Sequence, residues 1–515
     1  MEALSAKQTL KSDTSMETLA AALLLGVAGD ILFWDSGLAG PGLCVWILLL
    51  GGASYYFNFN VSKAWRKVLF VWAAVAIAAS FLLVLRASMQ LTPLVLLVIA
   101  MCAVIVLMQA GSTKLIEAKL RDYMRATWRL PIRVAPGLFP LLSGLQWRGF
   151  SNSPRVLGLV KGALLAMPIL LVFVALFSTA DANYARYVTS FIDSLGFAAP
   201  QHLLLVLLVA WFAAGLLRCT QQEPLTSTPG PARLFLGGEE TLMIMGSLTL
   251  LFVSFVVLQA SYLFGGQAVI ESSTGMTVAD YARRGFFELI VIASLTLVVL
   301  LCLSSVQCSQ RIFRPLAAVL VACVFVILVS ALQRLSLYIE SFGLSLSRVF
   351  AVAFMLWLAG NLLSFAFTCL RGRDRGFASG LVVSGIVTIF LVALINPAAI
   401  VVRVNLERST QTNSQIDWIY LLNLGPDGVP TMLGQLEHLP EHVQCHLANG
   451  LLMRYSDQLV SQLGDWRTWN YSREKAVTVV SEAHAQLFSL SGREQVIANL
   501  QPVWPQRLAL FSLCS

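Results

Sequence analysis

The feature that most constrains this chain is a succession of apolar runs long enough to cross a bilayer. About eleven of them lie at roughly 17–33, 38–57, 67–85, 91–110, 157–178, 200–217, 240–264, 285–303, 315–333, 348–369 and 377–395, each near the roughly 17–25 residues that a spanning helix requires. Lipid offers no partner to a backbone N–H or C=O, so each run must satisfy its own hydrogen bonds as a helix. The expected fold is therefore all-α: a polytopic helical membrane protein with a C-terminal helical extramembrane domain. A composition that is 57% hydrophobic and 12% charged agrees, since a soluble domain is about 45–50% apolar. The first two runs are the least regular, because Asp30 and the stretch "LAGPG" interrupt them. The polar start "MEALSAKQTLKSDTSMETLA" precedes no A-x-A-like site, so the first helix is expected to be retained.

Basic residues set the expected sidedness. Short loops that keep Lys and Arg stay in the cytoplasm, and here the N-terminus and even-numbered connections hold about 20 of them, whereas the opposite connections hold Arg86, Arg186, Arg283, Arg284, Arg334 and Arg348. That places residue 1 in the cytoplasm and, after an odd number of crossings, residue 515 outside, in the periplasm if the cell has an outer membrane. The expected divisions are a cytoplasmic tail 1–16, a four-helix region 17–110, a basic cytoplasmic segment 111–156, a core of about seven helices 157–395 and an external helical domain 396–515. In the basic segment, Ile116, Leu120, Met124 and Trp128 form one helical stripe and Glu117, Arg121, Arg125 and Arg129 the next, the pattern of an interfacial helix on anionic lipid headgroups. The net charge of +8 is thereby assigned to lipid, and no nucleic-acid partner is expected.

Familiar catalytic patterns are weak or missing. "HLPEH" fits H-x-x-E-H, but Pro440 should keep His438 out of the helix that carries His442 and His446, so no metal and no cofactor are expected. Ser472 occupies a cap position for a helix in the tail. Gly158 with Gly162 and Gly376 with Gly380 match G-x-x-x-G, which lets helices approach closely. Cys445 and Cys514 would sit in an oxidising compartment, where they could pair, although unpaired thiols are the expectation. Among ionisable or amide groups in the apolar runs, Glu239 and Glu240 suit a helix start, and Asn361 suits a bond to a neighbouring helix. Glu288 is expected just inside the membrane, one turn from Arg284. If that pair is buried, Glu288→Gln should cost on the order of 3–5 kcal/mol.

Seven segments then become informative together: "ALFSTADANYARYV", "LQASYLFGG", "TVADYARRGFFEL", "LQRLSLYIESFGLSLSRVF", "NPAAIVVRVNLER", "DWIYLLNLGPDGVP" and "DWRTWNYSREKA". In this order they resemble the motifs of the bacterial membrane proteins grouped as domain of unknown function 4153 and 4173, over roughly residues 158–476. The resemblance implies an integral membrane protein and carries no reaction, ligand or catalytic residue. All the segments fall on the expected external side, so the candidate outward-facing site comprises Asp181, Arg283, Arg284, Glu288, Arg334, Tyr338, Arg403 and Asp427. The same residues could instead cap helix ends and hold the tail to the bundle. Three functions fit: binding or transport of a polar solute or lipid headgroup, an enzyme acting on an envelope lipid or glycan with Asp181, Glu288 or Asp427 as acid or base, and a scaffold or signalling partner for an envelope protein.

Overall fold

The computed structural model describes residues 2–38, 40–59, 63–109, 118, 120–144, 199–222, 238–264, 286–304, 310–372, 376–412, 416–455 and 465–491, with scattered positions between 174 and 190. Among the described residues there are helices and no strand, and nine helices are long and apolar enough to cross a membrane. The chain is an all-α polytopic membrane protein. The expected run at 157–178, with Gly158 and Gly162, lies outside the described residues except for positions 174 and 177.

The first group of helices is α1 (Glu2–Phe33), α2 (Pro41–Phe57), α3 (Lys63–Leu85), α4 (Leu91–Gln109), α5 (Leu120–Val134), α6 (Phe139–Gly144) and α7 (Ala199–Gln221). Asp30 does not interrupt α1, and the proline of "LAGPG", Pro41, is the first residue of α2, where a proline's missing N–H leaves no bond unmade. Gly26 lets α1 lie against α7, since a Cβ there would meet the Val206 carbonyl and the Ala210 methyl. A core of Leu25, Trp46, Leu83, Val95 and Leu217 joins α1–α4 to α7.

The second group is α8 (Gly238–Phe264), α9 (Phe286–Ser304), α10 (Gln310–Phe342) and α11 (Leu346–Thr368), packed around Met245, Leu300, Leu320, Ile327 and Phe365. The 33 residues of α10 extend it to about 50 Å, beyond the roughly 30 Å hydrocarbon layer, and near its end Ile339 packs on both the bundle core and the tail core. Helix α12 (Phe377–Leu394) bridges the groups: Phe377 meets Phe365, while Ile386 and Ala393 join the first core. Asn361 accepts from the Ser384 hydroxyl of α12 at 3.3 Å, the interhelical bond expected of it. Glu239 and Glu240 lie in the first turn of α8, also as expected.

Among the described residues, Gly376 and Gly380 form no packing pair. Gly376 caps α12 with φ 87°, a conformation that glycine adopts freely, and a Cβ on Gly380 would meet nothing. Glu288 is exposed in the first turn of α9, while Arg283 and Arg284 lie outside the described residues. Its burial, on which the large cost of Glu288→Gln depended, is absent.

The tail folds as α13 (Pro397–Thr412), α14 (Trp418–Asn423), α15 (Val429–Gln435), α16 (Glu441–Tyr455), α17 (Tyr471–Glu482) and α18 (His484–Leu490). Its core of Val401, Leu421, Met432, Leu447 and Val480 also takes in Leu344 from the α10–α11 turn. Leu439 is extended and α16 begins at Glu441, so His438 stands before the helix that carries His442 and His446. The cap of α17 is Asn470 rather than Ser472: its side chain accepts from the Arg473 N–H, and Ser472 lies in the first turn. Cys445 is disulfide-bonded, contrary to the expectation of a free thiol. Cys514 lies outside the described residues.

The α5–α6 segment differs from a surface helix. Val134 presses on Gly215, the Trp211 indole donates to the Ala135 carbonyl at 2.9 Å, and Leu138 and Leu141 pack with Ala22, Ala210 and Ala214. Trp211 is the midpoint of the span Gln201–Gln221, about 15 Å along the helix from its end. The segment therefore enters the bundle from the end where α4 and α7 finish. Val134, Gly137, Leu138 and Leu141 are buried there, while Ala135 and Pro136 remain exposed, so the backbone is only partly covered by protein at this depth.

Candidate functional site

The long helices α1, α3, α10 and α12 all finish at the end of the bundle that carries the tail. A helix C-terminus leaves carbonyls without intrahelical partners and gathers partial negative charge, so cations and amides are favoured there. Distant side chains meet this need. Arg86, just past α3, donates to the Ala393 and Leu394 carbonyls at 2.8 and 2.9 Å. Asn470 donates to the carbonyls of Leu83 and Arg86 at 2.9 and 3.1 Å, and Ser472 donates to that of Leu85 at 2.8 Å. Arg467 donates to the Ile31 carbonyl of α1 at 2.7 Å, and Arg408 to the Ser341 carbonyl of α10 at 3.0 Å.

Asp427 sits where these contacts meet. Its carboxylate accepts from the Ala87 N–H at 2.9 Å and shares the single hydrogen of the Ser472 hydroxyl with the Leu85 carbonyl, with the Arg86 guanidinium 3.8 Å away. Its own carbonyl accepts from Asn396 at 3.0 Å. Burial pushes the Asp427 carboxyl above the ordinary range, opposed by Ser472, by the Ala87 N–H and, least, by Arg86. Nearby Tyr455 is pushed up to about 12, chiefly by burial. A second fastening holds the α10–α11 turn: Asn405 accepts from the Leu344 N–H at 2.6 Å and donates to its carbonyl at 2.8 Å, while the Leu346 N–H donates to Tyr420 at 3.0 Å.

The candidate residues from sequence are thus distributed. Asp427 joins the fastening, with Arg86, Ala87 and Ser472 as its partners. Tyr338 lies under the Arg348 guanidinium, 3.9 Å from its ring centroid. Arg334 is half-buried on α10, and Arg403 is exposed on α13. Asp181 caps its own turn, accepting from the Asn183 and Tyr184 N–H groups at 2.7 and 2.9 Å.

Sequence reasoning passed over His202. Its Nδ1 lies 3.0 and 2.9 Å from the two Asp30 carboxylate oxygens, and the Trp34 ring lies tilted against the imidazole, 3.9 Å between centroids. The side chains are 38% and 15% exposed for His202 and Asp30, so this contact between α1 and α7 stays open to the surroundings. The carboxylate fixes Nδ1 as the donor. Nε2 then accepts from a ligand hydroxyl or amine when the ring is neutral, and donates to an anion when it is protonated. Asp30 was visible as an ionisable residue in an apolar run, but no local spacing connects it to a histidine 172 residues away.

The family model described as domain of unknown function (DUF4153) matches residues 21–434. The match takes in the four N-terminal helices, for which the motifs gave no resemblance, and stops before "DWRTWNYSREKA". No curated protein and no solved structure matches the chain.

Proposed function

The chain belongs to the DUF4153 family, and from that premise we propose that it is a non-enzymatic membrane protein that binds a polar solute or lipid headgroup on its tail-bearing face. The basic-residue asymmetry supports placing that face outside the cytoplasm, in the periplasm where an outer membrane exists. The observation that carries the reading is the Asp30–His202 contact. Other charged contacts on this face, at Arg86–Asp427 and Arg467–Asp465, belong to side chains that also bind backbone at helix ends. His202 instead presents an oriented ring edge, with aromatic surface from Trp34 beside it.

Native mass spectrometry of the protein purified in mild detergent tests this. The wild type should carry a co-purifying small ligand that is lost in His202→Ala and reduced in Asp30→Asn, with apo thermal stability retained. Equal adducts in all three proteins would refute the site. A second reading, a platform for an envelope protein, is favoured by the rigid fastening of the tail at Asp427. It predicts a single protein adduct from a photo-crosslinker at exposed Ile419, lost when Asp427 is replaced.

A further inference from the structure

At the opposite end of the bundle, α5 carries two stripes that its packing leaves in place. Tyr123, Ala126 and Val134 are buried against Val104, Ile105, Met108, Cys219 and Ala378, from α4, α7 and α12. On the far side Met124, Trp128 and Ile132 are 58%, 75% and 59% exposed. These positions recur every four residues and so form one continuous apolar stripe. Each is followed by an arginine, Arg125, Arg129 and Arg133, which places a cationic stripe about 100° around the helix.

The contacts of α5 fix the depth of these stripes. Cys219 shares one buried core with Tyr123, Ala126 and Val134, and Gly215 receives Val134. The exposed stripe therefore runs beside the last two turns of α7, within about 10 Å of its end. That is the zone where headgroup phosphates give way to acyl chains. A soluble partner protein would have to reach the stripe through lipid, and nucleic acid would leave three large apolar side chains uncovered.

We propose that α5 is a binding site for an anionic phospholipid of the leaflet at this end, with the phosphate held by Arg125 and Arg129 and the glycerol and acyl chains lying along Met124, Trp128 and Ile132. The arginine fork suits phosphate oxygens, and the indole suits the boundary between headgroup and chain. This site is independent of the Asp30–His202 contact, which lies at the other end of α7.

The test reconstitutes the full chain in nanodiscs of phosphatidylcholine with about 30% phosphatidylglycerol, and counts phosphatidylglycerol retained on release into detergent by native mass spectrometry. The wild type should retain it in preference to phosphatidylcholine. Each arginine near an anionic surface is worth about a fivefold change in affinity, so Arg125→Gln with Arg129→Gln should weaken retention about thirtyfold. Trp128→Ala with Ile132→Ala should weaken retention of both lipids. Unfolding temperature is measured for each variant, and Arg→Lys at both positions should restore most of the phosphatidylglycerol preference if the variant chain folds. Unchanged preference in the glutamine variant, or no preference in the wild type, overturns the proposal.

Discussion

The two ends of the bundle use arginine for different purposes. At the tail-bearing end Arg86, Arg408 and Arg467 donate to helix-terminal carbonyls, and the segments that supply or receive the bonds lie as far as 436 residues apart in sequence. At the other end Arg66 lies over the Phe59 ring at 5.0 Å, Arg371 over Phe367 at 5.3 Å, and the α5 arginines border an exposed apolar stripe. One end thus closes its helix termini chiefly with distant parts of the chain, Arg348 over the Tyr338 ring being a local contact there. The other has local aromatic partners and, as proposed, lipid. The difference teaches that charge density alone does not reveal whether a cation serves folding or an outside partner.

The largest effect that would break this comparison is at Asp427. Replacing it by Ala leaves the Ala87 N–H without its acceptor and takes one acceptor each from the Ser472 hydroxyl and Arg86, which keep the carbonyls of Leu85, Ala393 and Leu394, and should cost about 3 kcal/mol. Limited proteolysis should then cut the tail faster than the bundle. An unchanged unfolding temperature and digestion pattern would show that the fastening contributes nothing. Asn405→Ala comes next: it frees both backbone groups of Leu344 and should cost about 1–3 kcal/mol, read as a lower midpoint of thermal unfolding in detergent.

A smaller effect follows from pH. Burial raises the Asp427 pKa above its ordinary 3.8, so the folded chain binds this proton more tightly than the unfolded one. The contribution is fully present below the unfolded value and declines as pH rises through the raised one. His446 has the opposite tendency: burial and His442 lower its pKa from 6.5, so it favours the fold above that value and loses its contribution as pH falls. Comparing wild type with Asp427→Asn cancels the histidine. Between pH 7 and 4 the wild type should gain unfolding temperature relative to the variant on acidification. A relative loss would mean that the ionised carboxylate, paired with Arg86, is the stabilising form.

The smallest effect is expected at Glu288. Exposed in the first turn of α9, it can contribute a favourable helix-dipole interaction of about 0.5 kcal/mol. Glu288→Gln should therefore change the unfolding temperature little. A loss of several kcal/mol would restore the buried ion pair expected from sequence and make this position resemble Asp427.

What the sequence determined by itself was the succession of spanning helices, because a bilayer demands internally bonded apolar runs and the runs are visible in the order of residues. Ten of the eleven are present among the described helices, if the 17-residue α2 is included; the run at 157–178 is described only at positions 174 and 177. The effect of Pro440 was legible for the same local reason: a ring without an N–H interrupts a helix wherever it falls. The tertiary structure alone decided what the polar residues do. The carbonyl that Asn470 satisfies is 387 residues away, and the partner of Asp30 is 172 residues away, and no periodicity encodes such a pairing. Even the α5 stripe, plain as an amphipathic pattern, did not disclose that Trp211 and Gly215 draw its C-terminal end into the bundle. Hydrophobic periodicity specifies which face of a helix is apolar; only packing against particular neighbours specifies its depth and which terminal carbonyls remain to be capped.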